Sequence, residues 1–306
     1  MNDFEQELKE ILVSETSFAK AMEPMRNHTT FRVGGPAGWY VAPGNEKELA
    51  EVIRLCRRED VPVRILGNGS NLLVSDLGIE GVVIAMEENW NYAEMTEPGV
   101  MTVGSGMLLS KAASLALKEN LTGLEAASGI PGTMGGAVVM NAGAYGFEMK
   151  DVLSSVRVMD PEGNVITLDA GDMELGYRTS CVEKNGYVVL EAQLSLKAGD
   201  GDQIRGRMDE LAAKRREKQP LEYPSAGSTF KRPSGHFAGQ LIEQAGMRGF
   251  RLGGAQVSEK HCGFVINRGE ATAEDVISLC RHVQKAVKET SGVDLEMEVR
   301  RWGEFS

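Results

Sequence analysis

The chain has 306 residues, 42% of them hydrophobic and 25% charged, as in a globular protein with room for two or three lobes. Its formal net charge of −11 argues against a nucleic acid or an anionic membrane as a partner, because no basic surplus is available to neutralise phosphates. No window is apolar enough for a membrane span, and residues 1–30 lack the apolar run of a signal peptide.

The first part of the chain predicts a helix followed by strands. Residues 46–59 carry an apolar stripe at helical spacing, and Asn45 precedes them as a candidate N-cap. The apolar run Val61–Leu66 predicts a buried strand, and Gly81–Met86 predicts another. A helix that leads into a strand ending in a polar loop is the arrangement in which α/β proteins bind cofactors.

The middle of the chain predicts a strand-rich lobe. Met107–Glu119 has the periodicity of one helix. Apolar and polar residues then alternate through Val152–Asp160, Val165–Leu168 and Tyr187–Leu196, with the turn Pro161–Asn164 between the first two segments.

A third region begins with a charged helix at Asp202–Lys218. His236–Gly246 is predicted as a helix with Phe237 on its buried side. Thr272–Thr290 is the clearest helix, since it opens with a capping box. The chain is predicted to end in a strand, Leu295–Trp302.

Two glycine-rich segments favour a ligand. In Gly123–Gly146 the only charged side chain is Glu125, and such a segment exposes backbone N–H groups and lets a ligand approach the main chain closely. The second, Leu66–Ser75, follows a predicted strand. Each alone is more typical of a tight turn, but together they favour a large phosphate-bearing cofactor. Leu72 occupies the third glycine position of the dinucleotide fingerprint, which argues against a Rossmann site.

The cysteine pattern gives no indication of a metal site. Cys56 and Cys280 lie on apolar helical stripes and are predicted to be buried thiols, while Cys181 is isolated in sequence. Cys262 follows His261, but no further ligands stand at metal-binding spacing. We therefore expect no metal, and free thiols in a reducing cytoplasm.

Six segments in sequence order resemble the UDP-N-acetylenolpyruvoylglucosamine reductase family. They are NHTTFRVGGPA, GNGSNLLVSD, SGIPGTMGGAVVMNAGAYG, GYRTS, GSTFKRP and LEMEVR, and the resemblance runs from Asn27 to Gly303. The glycine-rich segments alone would indicate only the vanillyl-alcohol-oxidase-like superfamily of FAD-binding proteins. The last three segments narrow the resemblance to the reductase family. A strand beginning at Tyr187 follows GYRTS too closely for the extra tyrosine-bearing loop of longer members, so the chain resembles the type II form.

The resemblance implies an α+β fold and a reaction. A two-lobed FAD-binding module of the vanillyl-alcohol-oxidase (PCMH) type would comprise residues 1–87 and 88–201, and an α+β substrate-binding domain residues 202–306, with the last strand packing back on the first lobe. The implied reaction is NADPH-dependent reduction of UDP-N-acetylglucosamine enolpyruvate to UDP-N-acetylmuramate through non-covalent FAD, in bacterial peptidoglycan synthesis. We expect a cytoplasmic monomer or weak oligomer.

The resemblance also assigns roles to residues. Arg178 would stabilise negative charge on the substrate through its guanidinium fork, Ser228 would give a proton to C2, and Glu298 would polarise or orient the substrate carboxylate region. Substrate-binding residues implied in this way are Lys218, Lys231 and Arg232. The implied FAD-binding residues are Gly67, Asn68, Gly69, Ser70, Asn71, Gly129, Ile130, Pro131, Gly132, Gly135, Gly136, Asn141 and Gly143.

Other interpretations stay open. Taken singly, Ser228 is typical of a turn, Arg178 of a surface ion pair and Glu298 of a solvent-facing strand position, and only their spacing and matched neighbours favour catalysis. One alternative function is another FAD-dependent oxidoreductase of the same superfamily, acting on an alcohol or hydroxy acid. The other is a nucleotide-binding protein without catalytic activity.

Overall fold

A computed structural model of the protein describes residues 3–86 and 88–305. The chain divides into two compact units. Unit 1 comprises Met1–Ala21, Trp39–Asn68 and Gly81–Ala213, and unit 2 comprises Met22–Gly38, Gly69–Glu80 and Lys214–Ser306. The three-lobe division with boundaries after residues 87 and 201 stays a prediction, and residue 87 itself lies outside the described residues.

Helices and short strands are mixed along the chain, as predicted for an α+β fold. The helices are α1 (Asp3–Ile11), α2 (Glu46–Arg58), α3 (Leu109–Lys118), α4 (Met134–Val139), α5 (Cys181–Lys184), α6 (Gly201–Lys218), α7 (Ala238–Gln244) and α8 (Ala273–Ser291). The strands are β1 (Phe18–Pro24), β2 (Pro36–Ala42), β3 (Val63–Leu66), β4 (Leu72–Val74), β5 (Ile79–Ala85), β6 (Ala93–Glu97), β7 (Val100–Gly104), β8 (Leu121–Thr122), β9 (Gly143–Ala144), β10 (Phe147–Glu148), β11 (Leu153–Met159), β12 (Val165–Asp169), β13 (Val188–Ser195), β14 (Lys197–Ala198), β15 (Arg251–Leu252), β16 (Ala255–Val257), β17 (Val265–Asn267) and β18 (Arg300–Trp302). Of the helices in the described ranges, none combines the length and the apolar character that crossing a membrane requires.

A five-stranded antiparallel sheet lies in unit 1, in the order β12-β11-β13-β7-β6. Alternate side chains of β11 and β13 are buried, among them Val156, Val158, Ala192 and Leu194. The apolar stripe of α3 and the buried face of α4 belong to the same hydrophobic core. This core supports the glycine-rich segment that precedes β11, because α4 is part of that segment.

A second sheet has the order β1-β2-β5-β3, with β3 and β5 parallel. Helix α2 packs its predicted apolar stripe, including Leu49 and Val52, in one core with Val82 and Ile84 of β5. Asn45 caps the helix by accepting a hydrogen bond from the N–H of Glu48, as predicted. Strand β3 ends at the first glycine loop.

Unit 2 is organised around α8. Its capping box between Thr272 and Asp275 is present as predicted, and its buried face shares a core with α7 and β15–β17. Strand β18 pairs in parallel with β4, with Arg300 opposite Leu72 and Trp302 opposite Val74. The regular strand at the end of the chain is thus shorter than the predicted Leu295–Trp302.

The predicted burial of Phe237 was wrong. Its side chain is 58% exposed, whereas Leu241 and Ile242 of the same helix are buried. Helix α7 begins only at Ala238, and Phe237 is the N-cap residue with extended backbone angles, φ −114° and ψ 121°. Helical periodicity does not apply to a residue that precedes the helix, so the side chain points away from the buried stripe.

All four cysteines are free and buried. Burial raises the pKa of the Cys56 and Cys280 thiols to about 12, so both stay protonated at neutral pH. The burial of both side chains confirms the prediction that Cys56 and Cys280 are buried thiols.

One buried carboxylate holds the beginning of the chain against α2. Glu48 is 4% exposed. Its Oε1 accepts hydrogen bonds from the backbone N–H groups of Val13 (3.1 Å) and Ser14 (2.7 Å) and from Ser14 Oγ (2.6 Å). Its Oε2 accepts one from the N–H of Gly44 (2.7 Å). Burial raises the pKa of Glu48, but the four hydrogen bonds outweigh burial, and the net pKa lies below the ordinary value.

We predict that Glu48→Gln lowers the free energy of unfolding by about 1–3 kcal/mol, because it removes the charge and sets an amide donor among donors. A control on the same helix is Glu51→Gln, whose carboxylate forms an exposed ion pair with Arg54 and whose loss is expected to cost less than about 1 kcal/mol. Urea unfolding measures both variants, and equal losses would contradict the role of Glu48.

The stability difference between wild type and Glu48→Gln is also expected to depend on pH. A carboxylate with a lowered folded pKa contributes fully above the unfolded glutamate pKa of about 4.3, and that contribution is lost as the pH falls through the folded value. Urea unfolding from pH 7 downward will show the difference shrink below about pH 4.

Candidate functional site

The two predicted glycine loops meet in unit 1. A Cβ atom added to Gly67 would collide with Thr133 Oγ1, and one added to Gly135 would lie 2.9 Å from Ser105 Cβ. Asn68 Nδ2 donates a hydrogen bond of 2.7 Å to the carbonyl oxygen of Pro131. The end of β3 and the segment 129–136 therefore form one continuous surface with backbone groups and few side chains, the kind of surface that phosphate groups approach closely.

Two buried hydroxyl groups in this surface lack protein partners. Ser105 is 1% exposed, and Thr133 is also buried. Neither Ser105 Oγ nor Thr133 Oγ1 has a hydrogen-bond partner among the described residues. An unsatisfied buried hydroxyl costs about 1–3 kcal/mol, and a ligand phosphate or hydroxyl would satisfy it. The residues thus fit a bound phosphate-bearing cofactor.

Sequence reasoning missed Ser105 and did not single out Thr133. The signal for Ser105 was the tripeptide Gly104-Ser105-Gly106 at the end of β7, where a small polar residue lies between glycines. Thr133 stood inside the recognised glycine segment, and it is the N-cap residue of α4 although its side chain makes no capping hydrogen bond.

The rest of the first loop lies in unit 2. Gly69 has φ +59°, and a Cβ atom there would collide with the carbonyl oxygen of His28, so glycine is required on two grounds. Asn71 Nδ2 donates to the carbonyl oxygen of Glu298 (3.2 Å), and the Asn71 carbonyl accepts from the N–H of Arg300 (2.9 Å). Asn71 therefore holds the segment that carries one of the predicted catalytic residues.

Ser228 and Glu298 lie on adjacent antiparallel segments of unit 2. The N–H of Glu298 donates to the carbonyl oxygen of Thr229 (2.9 Å), and Phe230 forms an antiparallel bridge with Met297. Ser228 is exposed and Glu298 is half-buried. The structure thus brings these two predicted catalytic residues together.

Thr229 fixes the segment next to Ser228 through hydrogen bonds to a neighbouring loop. It is 0% exposed, its N–H donates to the carbonyl of Gly263 (2.8 Å), and its Oγ1 accepts from the N–H of Val265 (2.9 Å). His261 Nδ1 accepts from the N–H of Gly263 (3.1 Å), and burial lowers the pKa of His261, which keeps the ring neutral. His261 therefore supports the backbone of this loop.

Arg178 occupies the tip of a two-residue hairpin in unit 1. Gly176 and Thr179 form an antiparallel bridge, and Arg178 has φ +56°, in the left-handed region. Its Nη2 donates to the carbonyl oxygen of Gly143 (3.3 Å), and its guanidinium lies 5.2 Å from the ring centroid of Tyr177. A non-glycine residue in this conformation carries strain of about 1–2 kcal/mol, which is typical of functional sites.

Asn141, predicted to bind FAD, is 1% exposed. Its side-chain amide forms hydrogen bonds with Glu148, Gly176 and the N–H of Lys150, all in unit 1. The side chain of Asn141 is therefore bound within unit 1, and its predicted contact with FAD stays a prediction.

The three cations predicted to bind substrate are in unit 2 and are held differently. Lys218 is the exposed last residue of α6. Lys231 forms an ion pair with Glu296. The Arg232 guanidinium lies 4.0 Å from the ring centroid of Phe237, and its Nε donates to the carbonyl of His236 (3.3 Å). The exposed ring of Phe237 thus contacts a cation.

Two family models match the chain. The model described as "UDP-N-acetylenolpyruvoylglucosamine reductase, C-terminal domain" matches residues 219–302, and the model described as "FAD binding domain" matches residues 37–169. The second range contains both glycine-rich segments of unit 1 that approach each other at Gly67 and Thr133. These matches confirm the FAD-binding module.

Curated relatives match the chain over nearly its full length. It is 54% identical to the UDP-N-acetylenolpyruvoylglucosamine reductase of Clostridioides difficile over 93% of both chains. It is 51% identical to that of Lachnoclostridium phytofermentans, over 98% of this chain and 97% of the relative.

A solved structure shows the same fold. The UDP-N-acetylenolpyruvylglucosamine reductase (MurB) of Thermus caldophilus matches with a TM-score of 0.82 and 35% identity, over 94% of this chain and 99% of that chain. Together with the family models, this match confirms the predicted α+β fold class.

The left-handed backbone of Arg178 gives a stability prediction. Arg178→Gly and Arg178→Ala both remove the guanidinium, but only glycine adopts φ +56° without strain, so we expect the glycine variant to be about 1 kcal/mol more stable. Urea unfolding of the two apoproteins measures the difference.

The matched control is Arg54 in the interior of α2. There the alanine variant is expected to be more stable than the glycine variant by about 1 kcal/mol, because alanine is the better helix former. The same order of stability at both positions would contradict the strain at Arg178.

Proposed function

The chain belongs to the UDP-N-acetylenolpyruvoylglucosamine reductase family, and on that basis we propose that it reduces UDP-N-acetylglucosamine enolpyruvate to UDP-N-acetylmuramate with NADPH. As a member of this family it is an FAD-dependent oxidoreductase of peptidoglycan synthesis. The observation that supports the detailed mechanism best is the hydrogen bond from the N–H of Glu298 to the Thr229 carbonyl, because it joins the two backbone segments that carry Glu298 and Ser228.

The surface formed in unit 1 by the end of β3 and the segment 129–136 is the part that would hold FAD. Gly67, Asn68 and the segment 129–136 would face its diphosphate, with Ser105 and Thr133 as additional hydroxyl partners. Bound FAD would supply the chemistry of hydride transfer from NADPH to C3 of the enol ether. The residues of the chain supply binding, charge and a proton.

Arg178 is proposed to stabilise the charge that develops during reduction. As C3 gains a hydride, negative charge grows toward C2 and the neighbouring carboxylate. The guanidinium presents a planar set of donors to such a group, and its hairpin fixes the backbone in one conformation before substrate arrives. This preorganisation lowers the cost of orienting the charge in the transition state.

Ser228 is proposed to give the proton to C2. Its hydroxyl is exposed, while its neighbour Thr229 is fixed by hydrogen bonds to Gly263, Val265 and Glu298. A rigid backbone with a free hydroxyl suits a proton donor, because the group keeps its position and still reaches the substrate. Glu298 is proposed to orient the substrate carboxylate region next to this hydroxyl.

The nucleotide part of the substrate requires cations. We assign Lys218 and Arg232 to its phosphates, since one lies exposed at a helix end and the other is oriented by Phe237. Lys231 would have to give up its ion pair with Glu296 before it could meet a phosphate. The free buried thiols fit a reducing compartment, and we place the enzyme in the cytoplasm.

Anaerobic visible spectroscopy tests the function in one cuvette. The purified protein, loaded with FAD, is expected to bleach on addition of NADPH and to recover its yellow spectrum on addition of UDP-N-acetylglucosamine enolpyruvate. Bleaching without recovery would favour another oxidoreductase of the superfamily. A protein that binds no FAD would contradict the proposal entirely.

We predict that Thr133→Val weakens FAD binding about tenfold, because it removes one hydrogen bond to the cofactor, while the apoprotein keeps or gains stability by losing an unsatisfied hydroxyl. Fluorescence titration with FAD and urea unfolding of the apoprotein give the two readouts. Thr167→Val makes the same change on the exposed face of β12 and is expected to leave FAD affinity unaltered. If the Thr133→Val apoprotein lost stability but bound FAD normally, the Thr133 hydroxyl would stabilise the fold and would not contact the cofactor.

We predict that Ser228→Ala leaves flavin reduction by NADPH within about twofold of wild type and slows reoxidation by the enolpyruvyl substrate at least about 100-fold, the usual contribution of a general acid. Stopped-flow absorbance separates the two half-reactions. Ser225→Ala, three residues earlier in the same loop, is the control and is expected to retain both rates. Normal reoxidation in Ser228→Ala would remove Ser228 from the mechanism.

A further inference from the structure

The side chain of Asn141 connects three segments of unit 1. Nδ2 donates to the carbonyl oxygen of Gly176 (3.0 Å) and to Glu148 Oε2 (3.1 Å). Oδ1 accepts from the N–H of Lys150 (3.0 Å). Both amide hydrogens and the amide oxygen are therefore used within the protein.

The contact with Gly176 bears directly on Arg178. Gly176 and Thr179 exchange backbone hydrogen bonds of 3.1 and 3.4 Å around the Arg178 tip, so the carbonyl that Asn141 holds belongs to the base of the hairpin. Beyond the other end of the hairpin, Ser180 Oγ donates to the carbonyl of Val139 (2.9 Å). The hairpin is thus bound to the 139–141 segment at both of its ends.

Backbone strain is concentrated in the same place. Nine non-glycine residues in the described ranges have positive φ, and four of them lie here: Asn141 (40°), Tyr145 (54°), Glu174 (49°) and Arg178 (56°). Strained conformations persist only where surrounding contacts over-determine them, and they concentrate at functional sites. The Asn141 hydrogen bonds are contacts of that kind.

The polar environment of Asn141 is itself ordered. Glu148 forms an ion pair with Lys150 at 2.5 Å, and its backbone N–H donates to Asp151 Oδ2 at 2.7 Å. The ion pair with Lys150, ahead of the Asn141 hydrogen bond and the charge of Arg178, lowers the pKa of Glu148 below its ordinary value. A charged Glu148 is the stronger acceptor for the Asn141 amide.

We propose that Asn141 is a positioning residue for the reduction, which holds the hairpin so that the Arg178 guanidinium is aimed at the substrate. This inference rests on the proposed function, since it assigns Arg178 to the charge that develops on the substrate. The expectation that Asn141 binds FAD stays a prediction, and the hydrogen bonds of its side chain support this further role within the protein.

Asparagine suits this position for two reasons. It tolerates left-handed φ better than most residues, and its amide offers two donors and one acceptor on a short stem. Asn141→Asp keeps the shape and the acceptor for Lys150, but it removes both donations and sets a carboxylate against Glu148 and the Gly176 carbonyl. Asn141→Gly keeps the backbone conformation and removes the side chain, and it serves where the aspartate variant does not fold.

The kinetic test measures both half-reactions in wild type, Asn141→Asp, Arg178→Ala and the double variant, all loaded with FAD. In Asn141→Asp, reoxidation by substrate is expected to slow about 10- to 100-fold, as for a misplaced catalytic group, while reduction by NADPH stays within about twofold. In the double variant the loss is expected to stay within about threefold of Arg178→Ala alone, because Asn141 acts through Arg178.

Asn164→Asp is the matched control. Asn164 Nδ2 donates to Asp160 Oδ2 (3.0 Å) in the exposed turn before β12, so the substitution again sets two carboxylates together, at a side chain whose hydrogen bond lies within the turn 160–164 and not at the hairpin. Both half-reactions are expected to keep wild-type rates. Loss of reoxidation in this control equal to that in Asn141→Asp would overturn the proposal.

Hydrogen exchange gives a readout that needs no turnover. In Asn141→Asp, amide exchange in a peptide covering 174–182 is expected to accelerate about tenfold, since the Thr179 N–H bonds to the carbonyl that Asn141 holds. The proposal would be overturned if Asn141→Asp left the exchange rate of this peptide unchanged or reoxidised at the wild-type rate. It would also be overturned if the losses of the two single variants multiplied in the double variant. If the flavin of the wild-type protein is not reoxidised by the substrate, the proposed function is refuted instead. The exchange rates would then decide alone whether Asn141 holds the hairpin.

Discussion

Buried polar side chains that bond to backbone groups hold the loops of this protein in place. Thr229 fixes the segment that presents Ser228 and Glu298, and Asn141 fixes the base of the Arg178 hairpin. Each of these side chains satisfies main-chain groups that would otherwise be buried at a cost of about 1–3 kcal/mol. A glycine-rich chain needs such anchors, because glycine restricts its own backbone least. Thr133 and Ser105 are exceptions, since their buried hydroxyls have no hydrogen-bond partner in the part of the chain that the structure describes, and we propose that a cofactor supplies one.

The predicted catalytic residues share a second property, which is an exposed or half-exposed functional group on a constrained backbone. Arg178 is held in a left-handed conformation that arginine disfavours, and Ser228 precedes a threonine with three hydrogen bonds. The fold holds the backbone at these positions while the ends of the side chains remain accessible. Groups held in this way can stabilise charge without reorganising when the substrate binds.

The local sequence pattern was sufficient to predict the long helices, but it was insufficient to predict where individual side chains point. The helices predicted at 46–59 and 272–290 are observed at Glu46–Arg58 and Ala273–Ser291, because apolar periodicity and capping residues act over a few neighbours. The resemblance led to Arg178, Ser228 and Glu298 through short motifs. It did not reveal that the Asn141 side chain turns inward, since the carbonyl it bonds belongs to Gly176, 35 residues away. The prediction for Phe237 was wrong because the helix begins one residue later than the periodicity was applied, at Ala238.

The treatment of cations shows how a chain of net charge −11 can present positive groups to an anionic ligand. Lys231 is paired with the exposed Glu296, and such a surface ion pair is worth less than about 1 kcal/mol and can exchange its carboxylate for a phosphate. Arg232 instead lies over the ring of Phe237, and its Nε donates to the carbonyl oxygen of His236, so two contacts within the same loop orient its planar donors. For Lys231 the deciding step is the release of Glu296 into water, because the ammonium meets a phosphate only after it gives up that carboxylate.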